Sequence, residues 1–311
     1  MNTSESILSN ITSKTQVAIA VSKLTVGIIG IIMNLLVCFI IGTHQNLRQP
    51  FNHLLVSLSI SDLTISFSVI FNLFINVLDN QFPLSNCAVV ICRFDNFSSF
   101  TSTSAAALTL MFISIERYHA ITGMHIQKLK LSSTRKLILI IWILSATGAI
   151  IPTIYTDVKL KTYDCTMLAI DNLTLVIVCF ILLSLLCILP TVTMLIIYFV
   201  IINKLLKTYN SKKLEINSIT IKRQKTLRHN ILPVLGISIL SAATAIPYLS
   251  LNGFYLIGSY ANPNFKHLFY AETEKFDLIS SLFFVISPVI NPLLYNLASY
   301  EFRKTLYSML K

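Results

Sequence analysis

Glu116 and Arg117 stand side by side near the end of "SSFTSTSAAALTLMFISIERYHAI", residues 98–121, a run that carries no charge until they appear. A carboxylate next to a guanidinium is an acid–base pair at the end of an uncharged helix; taken alone, the guanidinium reads as an interfacial side chain that snorkels to the head groups. Catalysis needs more: a nucleophile with its base, or a metal set such as H-E-x-x-H, and the sequence holds neither, so no catalytic residue, metal or cofactor is assigned. Asp62 is the second chemically active position, because it lies alone inside "LSISDL", within an apolar segment. An intramembrane carboxylate is costly to bury and marks a functional site by default. Its structural alternative is a protonated acid satisfied by Ser and Asn neighbours.

The elements that hold these residues are membrane helices. Over 311 residues the chain is 54% hydrophobic and 12% charged, with mean hydropathy +0.73, whereas soluble domains carry about 25% charged residues. Crossing a hydrocarbon core takes about 20 helical residues. Runs of that order fall near 17–42, 51–78, 90–116, 135–155, 172–203, 229–257 and 276–297, which we number helices 1 to 7. The expected fold is an all-α membrane protein, a seven-transmembrane helix bundle followed by a short interfacial helix. Residues 1–16 form an N-terminal segment, too polar for a cleavable signal, 17–297 the bundle and 298–311 the final helix. Short connections without Pro/Gly/Ser-rich linkers make this one domain, and no inverted repeat points to a transporter.

Charge sets the orientation. Arg48, the 117–136 and 204–228 segments and the C-terminal residues hold 17 Lys and Arg, against 7 on the opposite side. The positive-inside rule places the richer side in the cytoplasm and the N-terminus outside, at the plasma membrane. The net charge of +11 is thereby explained by orientation and anionic lipid head groups rather than by nucleic acid. Cys38, Cys179 and Cys187 fall within apolar helices and read as packing residues, whereas Cys87, Cys92 and Cys165 fall on the outer side, where disulfides persist. Cys92 precedes Arg117 by 25 residues, about 37 Å of helix, so the two lie at opposite faces of the bilayer. A Cys92–Cys165 bridge ties helix 3 to the second outer loop; a Cys87–Cys165 bridge is the alternative pairing.

Each further helix supplies a residue at a matching depth: Asn34 in "GIIMNLLV", Asp62 in "LSISDL", the Cys92-to-"ERY" spacing, the lone Trp142, Pro190 with Tyr198, Pro247, and "NPLLYN" followed by "SYEFRKTL". In this order and spacing the chain resembles the rhodopsin-like (class A) G-protein-coupled receptors over nearly its whole length. The resemblance implies a receptor that passes binding of an extracellular ligand, a peptide or small molecule, to a heterotrimeric G protein. The alternatives are a non-signalling or atypical seven-helix receptor and a membrane transporter. It also implies roles. Glu116 holds Arg117 at rest, and Arg117 then extends toward Tyr198 and Tyr295 as helix 6 swings out. Asn34, Asp62 and Asn291 form a polar midmembrane cluster that binds sodium in the family, here with Ala106 in place of the helix-3 serine. Pro190, Pro247 and Pro292 each remove a backbone donor and kink their helices.

Departures from the pattern are equally specific. Ala245 stands where the family has a tryptophan, Ser241 where it has a phenylalanine with Ala107 opposite, and Leu227 where some members place a helix-6 carboxylate. Ser99 replaces the aspartate of amine receptors, and helix 7 carries no retinal lysine. The ligand side is marked by Asp95, Ser99 and Asp277; Asp95 and Asp277 belong to an acidic outer rim that would suit a basic peptide or a cationic small molecule, the alternative being a solvated polar rim. Asn2 and Asn10 occupy N-x-S/T sequons and are expected glycan sites. After helix 7, Phe302, Leu306 and Leu310 share one face of an interfacial helix, which lacks a cysteine for palmitate and ends without a long Ser/Thr tail for arrestin.

Overall fold

The computed structural model describes residues 3–79, 85–122, 131–159, 164–167, 172–211, 218–261, 265–298 and 300–309. Helix 1 runs Thr3–Thr43, helix 2 Pro50–Asp79, helix 3 Ser85–Thr122 and helix 4 Leu131–Ile154. Helix 5 is built of Leu173–Leu183, a π-helical turn Ser184–Ile188 and Leu189–Ser211. Helix 6 is Ser218–Ala261, helix 7 Phe265–Ala298 and helix 8 Tyr300–Met309. Among the described residues, five helices contain spans long and apolar enough to cross a membrane, and Leu235–Leu251 and Ile279–Leu294 are apolar segments of helices 6 and 7.

Helix 1 begins at Thr3 although its membrane-length span starts at Val17. Residues 3–16 contain neither Pro nor Gly, so nothing in the sequence breaks the helix before lipid-compatible residues begin. A second addition to the helical plan is an antiparallel hairpin between helices 4 and 5, β1 (Thr156–Lys159) with β2 (Asp164–Met167), in which Val158 pairs with Cys165.

The bundle buries many polar side chains beside its apolar core and turns large apolar ones outward. Asn34, Ser57, Ser61, Asp62, Ser102, Ser104, Thr109 and Asn291 are buried, while Val21, Ile32, Phe39, Phe67, Phe94, Leu139 and Phe199 are exposed. Water would punish this arrangement; lipid favours it, because hydroxyls and amides pair between helices and alkyl groups meet acyl chains. Helix 3 is central, packing against helices 2, 4 and 5 and against β1. Close approach of helix 1 to helix 2 depends on Gly30, where an added Cβ would sit 2.5 Å from Ser66 Oγ.

The main apolar core lies in the half of the bundle that contains Arg117. Ile40 and Ile41 of helix 1, Leu54 and Leu58 of helix 2, Ile113 of helix 3, Met194, Tyr198 and Ile201 of helix 5, and Ile237 of helix 6 form one buried cluster with Phe302 of helix 8. Helix 8 thus docks through its apolar face, as its pattern predicts, with Leu306 packed against the same cluster and Leu310 outside the described residues.

Candidate functional site

Helix 7 shows how a proline creates a site. Pro292 lacks an N–H, so the carbonyl of Pro288, four residues earlier, loses its helical donor. Asn34 of helix 1, fully buried, supplies the replacement: its Nδ2 donates to Pro288 O at 2.7 Å and to Gly30 O at 2.9 Å. One residue before Pro292, Asn291 Nδ2 donates to Asp62 Oδ2 at 2.9 Å. The structure therefore joins Asn34, Asp62 and Asn291 through helix 7. The Oδ1 atoms of Asn34 and Asn291 are buried without a hydrogen-bond partner. Amide and carboxylate oxygens of this kind suit a hard cation or water, although helix 3 contributes no hydroxyl at Ala106.

Arg117 is set among side chains of three helices. Its guanidinium carbon lies 3.7 Å from the ring centroid of Phe51, at the start of helix 2. Glu116 adjoins it on helix 3 and Tyr198 of helix 5 lies nearby, yet Glu116 Oε2 and Arg117 Nε have no hydrogen-bond partner. Tyr198 is 1% exposed; its hydroxyl faces Ser238 of helix 6 without reaching standard hydrogen-bond geometry. Phe51 is fixed locally: Pro50 opens helix 2, a position where its missing N–H costs nothing, and Asn52 Nδ2 donates to Leu47 O at 2.8 Å. The side chains of Tyr295 and Leu227 lie outside the described residues.

Helix 5 absorbs its proline differently from the simple kink that Pro190 suggests. The ring at 190 crowds the carbonyl of Leu186, and Leu186 lies within the π turn 184–188, which widens the backbone there. This turn presents Cys187 Sγ to Ser104 Oγ of helix 3 at 3.3 Å. Pro247 and Pro292 sit inside helices that continue through them. The single tryptophan, Trp142, donates from Nε1 to Ser57 Oγ at 3.1 Å, and Ser57 lies 3.4 Å from Thr109 Oγ1, linking helices 4, 2 and 3.

Toward the Cys92 end of helix 3, Ser99 Oγ donates to Ser68 Oγ at 3.1 Å and Asp95 is buried. Asp277's side chain is outside the described residues. Beneath this region, where Ala245 leaves no aromatic, Tyr248 of helix 6 stacks on Phe284 of helix 7 with centroids 4.6 Å apart. Cys92 is disulfide-bonded, and β1 packs against helix 3 while pairing with the Cys165 strand. The side chains of Cys87 and Cys165, and Asn2 and Asn10, fall outside the described ones. Sequence reasoning missed Phe51, the Ser104–Cys187 contact and the Tyr248–Phe284 stack. Only the first had a signal, the aromatic that follows Pro50 at a helix start.

The geometry defines a membrane receptor bundle, and comparison with known proteins agrees. The profile of the 7 transmembrane receptor (rhodopsin family) matches residues 33–295. The chain is 26% identical to neuromedin-U receptor 2 of Mus musculus over 295 residues, 89% of this chain and 71% of that receptor. It is 30% identical to the tachykinin-like peptides receptor 86C of Drosophila melanogaster over 131 residues, 42% of this chain and 25% of the relative. With the neuromedin-K receptor of Rattus norvegicus it shares 31% identity over 126 residues, 40% of this chain and 27% of that one. The chain belongs to the rhodopsin family of seven-transmembrane receptors. It is a multi-pass membrane receptor of the G-protein-coupled class and not an enzyme, which sets the transporter alternative aside.

Proposed function

We propose that this receptor is activated by an extracellular peptide and transmits binding to a heterotrimeric G protein through Arg117. Support for a peptide comes from the likeness to receptors named for neuromedin U, neuromedin K and tachykinin-like peptides. The acidic residues of the outer side favour a ligand with basic groups; Asp95, being buried, is not part of that rim. The N-terminus is outside, carrying glycans at Asn2 and Asn10, and Cys92 is bridged to Cys165.

The observation that carries the coupling role is the setting of Arg117, a partly buried guanidinium over the Phe51 ring of helix 2 and near Tyr198 of helix 5, beside the main apolar core. Agonist binding shifts a two-state bundle; helix 6 swings away from Tyr198, and Arg117 extends toward Tyr198 and Tyr295 to meet the Gα subunit. The Asp62–Asn291 contact and the Asn34–Pro288 bond connect the ligand half to this end through helix 7.

A panel of neuromedin U, neuromedin K and tachykinin-like peptides, read by second messengers in cells displaying the receptor, tests the ligand class. A saturable response to at least one peptide, absent from Arg117→Ala cells at equal surface number, is expected. Responses confined to small cationic molecules would overturn the peptide assignment.

A further inference from the structure

A residue that couples on activation must be held in place at rest. Leu227 gives helix 6 no carboxylate to grip Arg117, and both Glu116 Oε2 and Arg117 Nε lack hydrogen-bond partners. The contact with definite geometry is the Phe51 ring, 3.7 Å from the guanidinium carbon. A guanidinium over an aromatic face is attracted by the ring quadrupole, more strongly where water is excluded. Around this contact the bundle is closed: Tyr198 and Ile201 of helix 5, Ile113 of helix 3 and Ile237 of helix 6 are all buried in one cluster.

We infer that Phe51 is the resting-state positioning residue of this receptor, clasping Arg117 by a cation–π contact in place of the missing inter-helix ion pair. The inference rests on the coupling role proposed for Arg117. Phe51 can serve because its backbone is anchored independently of helix 3. Pro50 opens the helix, Asn52 Nδ2 bonds to Leu47 O, and Leu47 is fully buried. Arg117 cannot extend toward the transducer without leaving the ring, so the strength of this contact sets how often the empty receptor signals.

The full-length receptor in lipid nanodiscs, labelled with 15N-arginine, supplies two readouts. In the first, the Arg117 Nε–H resonance, assigned by its loss in Arg117→Lys, is expected upfield of the other arginines through the Phe51 ring current. It should move downfield in Phe51→Leu and stay in Phe51→Tyr. In the second, ligand-free nucleotide exchange on purified G protein is expected to rise about five-fold in Phe51→Leu and to stay near wild type in Phe51→Tyr. Phe51→Met replaces the leucine variant if that one does not fold. An unshifted Arg117 resonance in wild type overturns the clasp, as does non-zero exchange that is equal in wild type and Phe51→Leu. A shifted resonance with no exchange from wild type or Phe51→Leu, with or without peptide, overturns instead the coupling role on which the inference rests, and the restraint with it.

Discussion

Asp62 and Asn291 form the clearest pair of residues whose partnership can be measured. The carboxylate is 3% exposed, and the amide of Asn291 donates to it. Removing one partner of a buried pair leaves the other desolvated and unsatisfied, at a cost of about 1–3 kcal/mol. Asn291→Leu should therefore lower the thermal midpoint of the detergent-solubilised receptor, and Asp62→Leu in the same chain should recover part of the loss by removing the stranded carboxyl group. An unchanged midpoint in Asn291→Leu would show that water replaces the amide fully. A second residue-scale prediction concerns Leu227, where sequence alone locates the position on helix 6. Leu227→Glu gives Arg117 a further resting partner, and an ion pair of about 1 kcal/mol at a partly hydrated site shifts a two-state balance about five-fold. Ligand-free signalling should fall at equal surface expression; equal or higher output would show that no helix-6 lock bears on the resting state.

Between elements, the prolines do more than bend helices. Pro292 strips Pro288 O of its helical donor, and Asn34 of helix 1 replaces it; Pro190 is accommodated by a π turn that delivers Cys187 to Ser104. The first case yields a double-mutant cycle. Asn34→Ala should destabilise by about 1–2 kcal/mol by orphaning a buried carbonyl. In a Pro292→Ala background, where residue 292 can again donate, the same change should cost clearly less. Additive losses in thermal unfolding would mean that Asn34 acts only through Gly30 O. This pairing was within reach of the sequence, since the orphan carbonyl always lies four residues before the proline. The π turn was not: a proline crowding its own helix can be relieved by a kink, a wide turn or a break, and neighbouring helices decide which. Phe51 and the Tyr248–Phe284 stack were hidden for a related reason. They join residues on different helices, and rotation of one helix about its axis changes which side chains meet without changing the apolar pattern that reveals the helix.

For the molecule as a whole, hydrophobic length and the order of polar residues carried the architecture. Seven apolar runs, Asn34, Asp62, the Arg117 turn and "NPLLY" identify the bundle because lipid leaves helices little other choice. The β1–β2 hairpin and the helical start at Thr3 escaped that logic, since both lie outside the segments that the bilayer constrains. The hairpin nevertheless supports one connection: Cys92 is disulfide-bonded, and β1, paired with the Cys165 strand, packs on helix 3. Peptide mapping without reduction is expected to yield a Cys92–Cys165 fragment, whereas a Cys92–Cys87 or Cys87–Cys165 fragment would reject that topology. If Arg117 drives a G protein, nucleotide exchange must depend on it. Nucleotide exchange on purified heterotrimeric G proteins, measured with wild-type and Arg117→Ala receptor in nanodiscs, with and without the peptide panel, tests that dependence most directly. Exchange above the receptor-free rate from the wild type, and none from Arg117→Ala at equal folded amount, is the predicted result. Equal exchange from both would contradict it, as would no exchange from folded wild-type receptor with any Gα class or peptide.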